Sequence, residues 1–456
     1  MKAHYTVALA IRAGFGLAAI GVGSLCCLAF AVWLSIGTVA ANEVTDWNVI
    51  IQKAAKASSA KPGITVSGRD AALMHLAMHN ALNAISRRYA TYGPGPQRPA
   101  PGGANAQAAV IAAGHGVAVR LYPDQASSLD HQYRNMLATV PDRPGKNEGV
   151  VLGDEAAAQI IEARGNDHFY DYMKTESFVS GNGPYGTGAG AWFPTADAPH
   201  QNANGPRASL VVPLALTSPA QFRNLLPGPP KLNSGTYLRD FEEVKILGSK
   251  TSTARTSEQT IVGKFWSHKS LYTMFNEVAR NLISARGDDL WESSRTLALL
   301  PIVMADSYIA VFDAKYQYQF WRPIMAIRGA DADDNEKTTA DPNWLPLVSP
   351  TPTFPEYPSG HSGACGSAQI ILESAFGRNT PFTATSIDEF PEPTIRKYGN
   401  FDEMARECVE GRMLSGHHFR VANEDALYLG QHIGWYVLRT ILDPVASGSG
   451  VVATRP

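Results

Sequence analysis

The sequence has no surplus of either charge. Its 456 residues hold 39 Lys+Arg against 41 Asp+Glu, a formal net charge of −2. A dedicated nucleic-acid binder needs a basic surface, so that class is set aside. Cysteine is scarce: Cys26 and Cys27 sit in the first apolar run, and the body holds Cys365 and Cys408 alone. A disulfide-dense small scaffold is excluded. The two body cysteines read either as a pair or as two small buried hydrophobes. Long apolar runs are scarce too. One uncharged stretch extends from Ala13 to Ala41, and no later segment reaches about 20 apolar residues, which argues against a polytopic membrane enzyme. No repeat of solenoid period is visible.

The apolar run follows Lys2 and Arg12 and ends in small residues at Thr38–Ala41. It reads as a secretory signal peptide cut near Ala41, with an uncleaved membrane anchor as the alternative. Either way the body is expected outside the cytoplasm, periplasmic or secreted. Gly23-Ser24-Leu25 is a poor lead-in for lipidation of Cys26 or Cys27.

With 45% apolar residues, the remaining chain can bury a sizeable core. Arg69–Ile85 has apolar residues at three- and four-residue intervals, and Ala104–Val119 and Gly149–Arg164 share that texture. From Gly165 to about Pro230, Gly, Pro, Asn and Ser dominate, which predicts a long ordered loop or a lid, most extreme at Gly181–Trp192. Helical patterning resumes over Thr256–Ala285, Trp291–Tyr316, Gly363–Gly377, Asp402–Leu414 and Glu424–Ile441. The prediction is an all-α protein of helix bundles. Its segments are 1–41 (signal or anchor), 42–164 (helical), 165–255 (loop-rich), 256–446 (catalytic core) and 447–456 (flexible tail).

Three segments of the C-terminal part carry chemistry. Lys315 and Arg322 are seven residues apart, two turns, and would share a helical face unless the helix ends before Pro323. Pro358-Ser359-Gly360-His361 leads into an Ala/Gly-rich helix, whose first turn offers a hydroxyl and free backbone N–H groups to an anion. Arg412 is followed six positions later by His418. Three cations brought together without an anion cost several kcal/mol each, on the order of a buried-ion penalty. If Lys315, Arg322 and Arg412 converge, a multiply charged oxyanion is expected. His418 can then act as nucleophile or ligand to its central atom, and His361 as general acid/base. The bland alternative pairs these cations with Asp313, Glu407 or Glu410 at the surface.

These segments resemble the vanadium-dependent haloperoxidase and type 2 phosphatidic-acid phosphatase (acid phosphatase) superfamily, with the pattern Lys-x6-Arg-Pro, Pro-Ser-Gly-His and Ser-Arg-x5-His-x3-Asp. Two positions depart from it. Gly411 replaces the Ser before Arg412, and Ala422 stands where the trailing Asp would be, with Asp425 three residues later as a possible substitute. The resemblance implies an oxyanion site in a C-terminal four-helix-bundle core. His418 would bond vanadate, or phosphorus in a phosphatase. Lys315, Arg322, Ser359, Gly360 and Arg412 would hold the oxygens. His361 would assist peroxide binding or protonate a leaving group. The lead-in Pro352–Tyr357 resembles the soluble haloperoxidase branch, and Phe354 and Phe312 occupy positions that shape halide handling there. The implied activity is halide oxidation by hydrogen peroxide at His-bound vanadate. The alternatives are an exported phosphatase acting on phosphate esters through a phospho-histidine, and a non-catalytic phosphate-binding scaffold. Cys365 lies one turn after His361 and Cys408 one turn before Arg412. If both helices meet at the oxyanion site, the two could pair.

Other features read as structural. His75 and His79 are four apart on a helix among Leu, Ala and Met, a core or supporting pair before a metal site. Asp331–Glu336 lacks the turn glycine of a calcium loop. Gly360–Ala364 mimics a hydrolase nucleophile elbow without the strand that must precede it.

Overall fold

The computed structural model describes residues 42–59, 64–93, 95–96, 103–173, 175–176, 188–198, 202–267, 270–386 and 394–445. The expected signal or anchor (1–41), the tail (447–456) and Gly181–Thr187 of the glycine-rich stretch lie outside these residues.

The chain is helical, as its periodicity predicts. The N-terminal helices are α1 (Glu43–Ala57), α2 (Ile64–Ile85), α3 (Ala106–Leu121), α4 (Ala126–Thr139), α5 (Lys146–Ala163) and the single turn α6 (Phe169–Tyr172). Then come α7 (Gly235–Leu247), α8 (Ser257–Phe265), α9 (Leu271–Arg286), α10 (Leu290–Tyr318), α11 (Pro323–Arg328), α12 (Gly360–Phe376), α13 (Phe401–Leu414) and α14 (Arg420–Thr440). Strands are short: β1 (Thr175–Glu176) pairs antiparallel with β2 (Ala203–Asn204), and β3 (Phe382–Ser386) with β4 (Thr394–Tyr398).

The apolar α10 is the axis of the core. It packs against α2 on one side and α12 on another, which joins the two helical regions. Among the described residues it is the one helix long and apolar enough to cross a membrane, yet 94% of its most apolar window is buried inside the protein. Beside it, α12 and α14 run in the same direction with their backbones touching. A Cβ on Gly430 would lie 2.0 Å from the Gly363 carbonyl oxygen, and one on Gly366 would lie 2.4 Å from that of Leu427. These glycines permit the approach that sets the start of α12 against the start of α14, where Ser359 N–H donates to Ala422 O.

The loop-rich segment is partly helical, since α7 falls within it, N-capped by Ser234. Its irregular parts are anchored. Gly190–Trp192 pairs with Gln319–Trp321 through Trp192 N–H to Gln319 O and Trp321 N–H to Gly190 O, so the end of the expected lid is pinned. Asp306 of α10 accepts the backbone N–H groups of Leu214, Ala215 and Leu216.

Candidate active site

The α10 helix ends at Tyr318 because Gln319 turns left-handed (φ 50°), and Pro323 holds Arg322 in extended backbone (ψ 157°). Lys315 and Arg322 therefore do not share a helical face, contrary to the two-turn spacing. They meet because the chain doubles back. Arg412 stands in the last turn of α13, His417 and His418 in the link to α14, and Ser359 caps α12. Five segments thus bring together all the predicted residues, and Lys315, Arg322, Ser359, Gly360, Arg412 and His418 are buried. His361, in the first turn of α12, is half-buried.

None of the three cations is neutralised in the way a surface pair would be. Asp313 pairs with Arg223, Glu407 with Arg396 and Glu410 with Arg420, which removes the bland reading. Lys315 Nζ instead donates to the carbonyls of Pro355 (2.8 Å) and Glu356 (2.9 Å). Arg322 donates to Phe354 O and His417 O, and its Nη2 has no partner although buried. Arg412 donates to Trp266 O and His417 Nδ1, and its Nε has none. Burial, reinforced by the neighbouring cations, pushes Lys315 well below its ordinary range and Arg412 down to about 9. Burial alone outweighs the attraction of Glu356 and brings Arg322 down to about 10. A charged ligand of opposite sign would reverse these shifts.

Hydrogen bonding fixes both imidazoles. Arg322 Nη1 lies 3.0 Å from His418 Nε2, and since a guanidinium cannot accept, Nε2 carries the lone pair. Nδ1–H of His418 donates to Glu356 Oε1 at 2.9 Å, and Phe419 N–H joins it at 3.0 Å. Burial and then Arg322 hold His418 well below the usual histidine range, so it is a neutral donor of electron density. Burial pushes Glu356 up to about 8, against the pull of Arg322 and Lys315. His417 is not an idle neighbour. Its Nδ1 accepts from Arg412, and its Nε2–H donates to Val348 O at 2.7 Å.

The motif departures have local causes. A Cβ on Gly411 would lie 2.5 Å from that of Trp266, whose main chain binds Arg412, so the indole takes the space of a longer residue there. Asp425 does not reach the His418 ring. It accepts the Tyr357 hydroxyl at 2.6 Å.

Aromatic rings wall the cluster. Phe354 lies 4.9 Å from Lys315 Nζ and 4.8 Å from the Arg322 guanidinium, and its ring sits 4.9 Å from that of Phe312. Two residues escaped the sequence reading. Tyr308 places its ring edge beside Gly360, where a Cβ would be 3.6 Å away, with its phenol pushed up to about 12 by burial although Arg412 pulls it down. The other is Glu356, whose signal was a carboxylate inside the lead-in of a motif that lacks its own. Clefts of about 430 and 400 Å3 elsewhere contain none of these residues.

Cys365 and Cys408 are bonded, with Cα atoms 6.8 Å apart, tying α12 to α13 below the cluster. His75 and His79 are core residues, bonded to Asn48 and Ala90 O, and no metal-binding cluster is present among the described residues. Asp333 bonds Asn335 and Thr338 within its own turn. The elbow mimic is the first turn of a helix, with Ser362 Oγ bonded to Asn423.

An all-α protein with an oxyanion cluster between helix ends defines a class, and comparison with known proteins narrows it. Residues 295–446 match the family described as the VCPO second helical-bundle domain. The vanadium chloroperoxidase of Curvularia inaequalis is 24% identical over 395 residues, 69% of this chain and 62% of that protein, so the match spans less than two thirds of its length. Among solved structures, a bacterial vanadium-dependent iodoperoxidase superposes with a TM-score of 0.71 at 23% identity, covering 88% of this chain and 96% of that one. The holo form of a bacterial vanadium-dependent chloroperoxidase gives 0.64 at 18% identity, covering 86% and 96%. The chain has the helical haloperoxidase fold, and its resemblance to the vanadium haloperoxidase superfamily is supported by the family, the curated relative and the structures alike.

Proposed function

We propose that this chain is a vanadium-dependent haloperoxidase, exported from the cytoplasm by its N-terminal apolar segment. One observation carries the reading: three buried cations stand around the His418 lone pair with carbonyl and imidazole partners in place of carboxylates, and Arg322 Nη2 and Arg412 Nε remain without acceptors. A tetrahedral oxyanion with several negative oxygens fits that donor set, and vanadate is such a group. When bound, vanadate supplies an electron-poor centre at which hydrogen peroxide oxidises halide.

The chain's own residues do the rest. Lys315, Arg322, Arg412, the Ser359 hydroxyl and the Gly360 N–H, which has no acceptor within its helix, would hold the oxygens. His418 Nε2 would offer its lone pair to the central atom. His361, half-buried at the start of α12, is placed to take a proton from incoming peroxide and return it to leaving water. Phe354 and Phe312 exclude water from one side, so the cations act in a low-dielectric site.

The same donors could hold phosphate, and a phosphatase acting on phosphate esters is the competing outcome. The test is protein reconstituted with orthovanadate and assayed with bromide, iodide or chloride and hydrogen peroxide, using monochlorodimedone as halogen acceptor. Metal-free protein is assayed beside it with p-nitrophenyl phosphate. Halogenation that depends on vanadate and disappears in His418→Ala is expected. Phosphate-ester hydrolysis without halogenation would overturn the reading. Phosphate binding with neither turnover would leave a scaffold.

A further inference from the structure

The resemblance leaves His418 without the carboxylate its motif supplies, since Ala422 stands in that place and Asp425 is engaged by Tyr357. We propose that Glu356, 62 residues before His418, is its replacement: the positioning residue that holds His418 with Nε2 turned to the oxyanion cluster. The inference rests on the reading of His418 as the oxyanion's ligand.

Four bonds of one residue support it. The Glu356 side chain accepts from His418 Nδ1–H at 2.9 Å and from Phe419 N–H at 3.0 Å, two donors from consecutive residues, which fixes the ring relative to its own backbone. Its main-chain oxygen accepts from Lys315 Nζ at 2.9 Å. Its N–H donates to Phe320 O at 2.8 Å, on the segment between α10 and α11 that delivers Arg322. Glu356 is fully buried and joins the cation-bearing end of α10, the Arg322 segment and the His418 link. A carboxylate moved from the helix after the histidine to the loop before α12 thus does what the trailing Asp would do, and also registers Lys315. Residues that orient a ligating histidine in this way commonly contribute about 10–100-fold in affinity.

The test uses metal-free full-length protein and reads orthovanadate and phosphate affinity by calorimetry. The His418 tautomer is read separately by nitrogen-15 NMR. Glu356→Ala is expected to weaken vanadate binding by about 10–100-fold and to erase the protonated-Nδ1 signature. Glu356→Gln keeps an oxygen acceptor at the same reach, so it should retain the signature and most of the affinity. Asp425→Asn should change neither. Wild-type affinity and an unaltered His418 signature in Glu356→Ala would overturn the proposal. So would Glu356→Gln losing as much as Glu356→Ala, because charge and not orientation would then carry the effect. If Glu356→Ala does not fold, Glu356→Asp, one methylene too short to reach Nδ1, takes its place with the same expectations. A wild-type protein that binds no oxyanion yet shows the Glu356-dependent tautomer would sink the haloperoxidase reading and leave the positioning role standing.

Discussion

Arg69 and Arg412 are both buried arginines, yet their neighbours leave their charges shifted in opposite directions. Arg69, in α2, is bonded to Asp167 at 2.7 Å and to Asp70 at 3.1 Å, and Asp70 in turn accepts the Tyr122 hydroxyl. Burial disfavours its charge, but Asp167 and Asp70 more than compensate, and Arg69 is held above its ordinary value. Arg412 has carbonyl and imidazole partners, no carboxylate, and Arg322 nearby, so its charge is held below the ordinary value. The N-terminal bundle buries charges in matched sets, as structural ion pairs must be. The C-terminal site buries cations in excess, and the excess is what an oxyanion would match.

Several experiments would break or sharpen that contrast. His418→Ala should reduce vanadate-dependent halide oxidation by more than about 1,000-fold, because the residue acts as part of a unit with the cations. Arg322→Ala should weaken oxyanion binding by about 10–150-fold, the worth of a charge-assisted bond. Arg69→Met should destabilise the fold by about 3–5 kcal/mol in urea unfolding, since it takes the shared arginine from buried Asp167 and Asp70. That change should leave vanadate affinity intact. The Cys365→Ala/Cys408→Ala pair should cost up to about 4 kcal/mol by loop-closure entropy, and preserve tautomer and affinity if the disulfide only braces α12 against α13. A smaller effect follows from the buried histidines. Burial and then Arg280 lower His75 to about 3, and burial lowers His79 to about 4. Unfolding exposes both to their ordinary value near 6.5, so the unfolded chain binds more protons below that pH. Their contribution is fully present above about pH 6.5 and is lost as the pH falls toward 4 and 3. His75→Gln should therefore lower proton uptake on unfolding at pH 5 by about one, measured as a shallower fall of stability with pH.

Much of this was readable in the sequence. Arg69–Ile85 and Trp291–Tyr316 have strong helical periodicity, and both became helices. The residues that cluster were legible because the motif fixes residue types at fixed offsets. The route by which they meet was not. Spacing alone suggested one helical face for Lys315 and Arg322, whereas a left-handed Gln319 and the constraint imposed by Pro323 turn the chain back on itself. The β3–β4 hairpin was missed because Phe382–Ser386 is only five residues long, too short for periodicity to separate from loop. Within the loop-rich stretch, α7 was overlooked because glycine and proline on its N-terminal side dominate the local composition. The partner of Glu356 was hidden for a different reason: it is distant in sequence, and only the fold brings Oε1 to Nδ1. Nor could the sequence choose between paired and separate cysteines, since that depended on α12 and α13 meeting at one depth.

The central claim is that the excess of buried cations is an oxyanion site and not a feature of the core. The most direct test is the unfolding free energy of wild type and Arg412→Met, with and without orthovanadate. The account predicts that the variant, without vanadate, is within about 1 kcal/mol of wild type or more stable, because an uncompensated charge has been removed. It further predicts that vanadate raises wild-type stability with concentration, by about 2.7 kcal/mol at a hundredfold excess over Kd, and leaves the variant almost unmoved. A variant destabilised as severely as Arg69→Met, beside a wild type indifferent to vanadate, would contradict it.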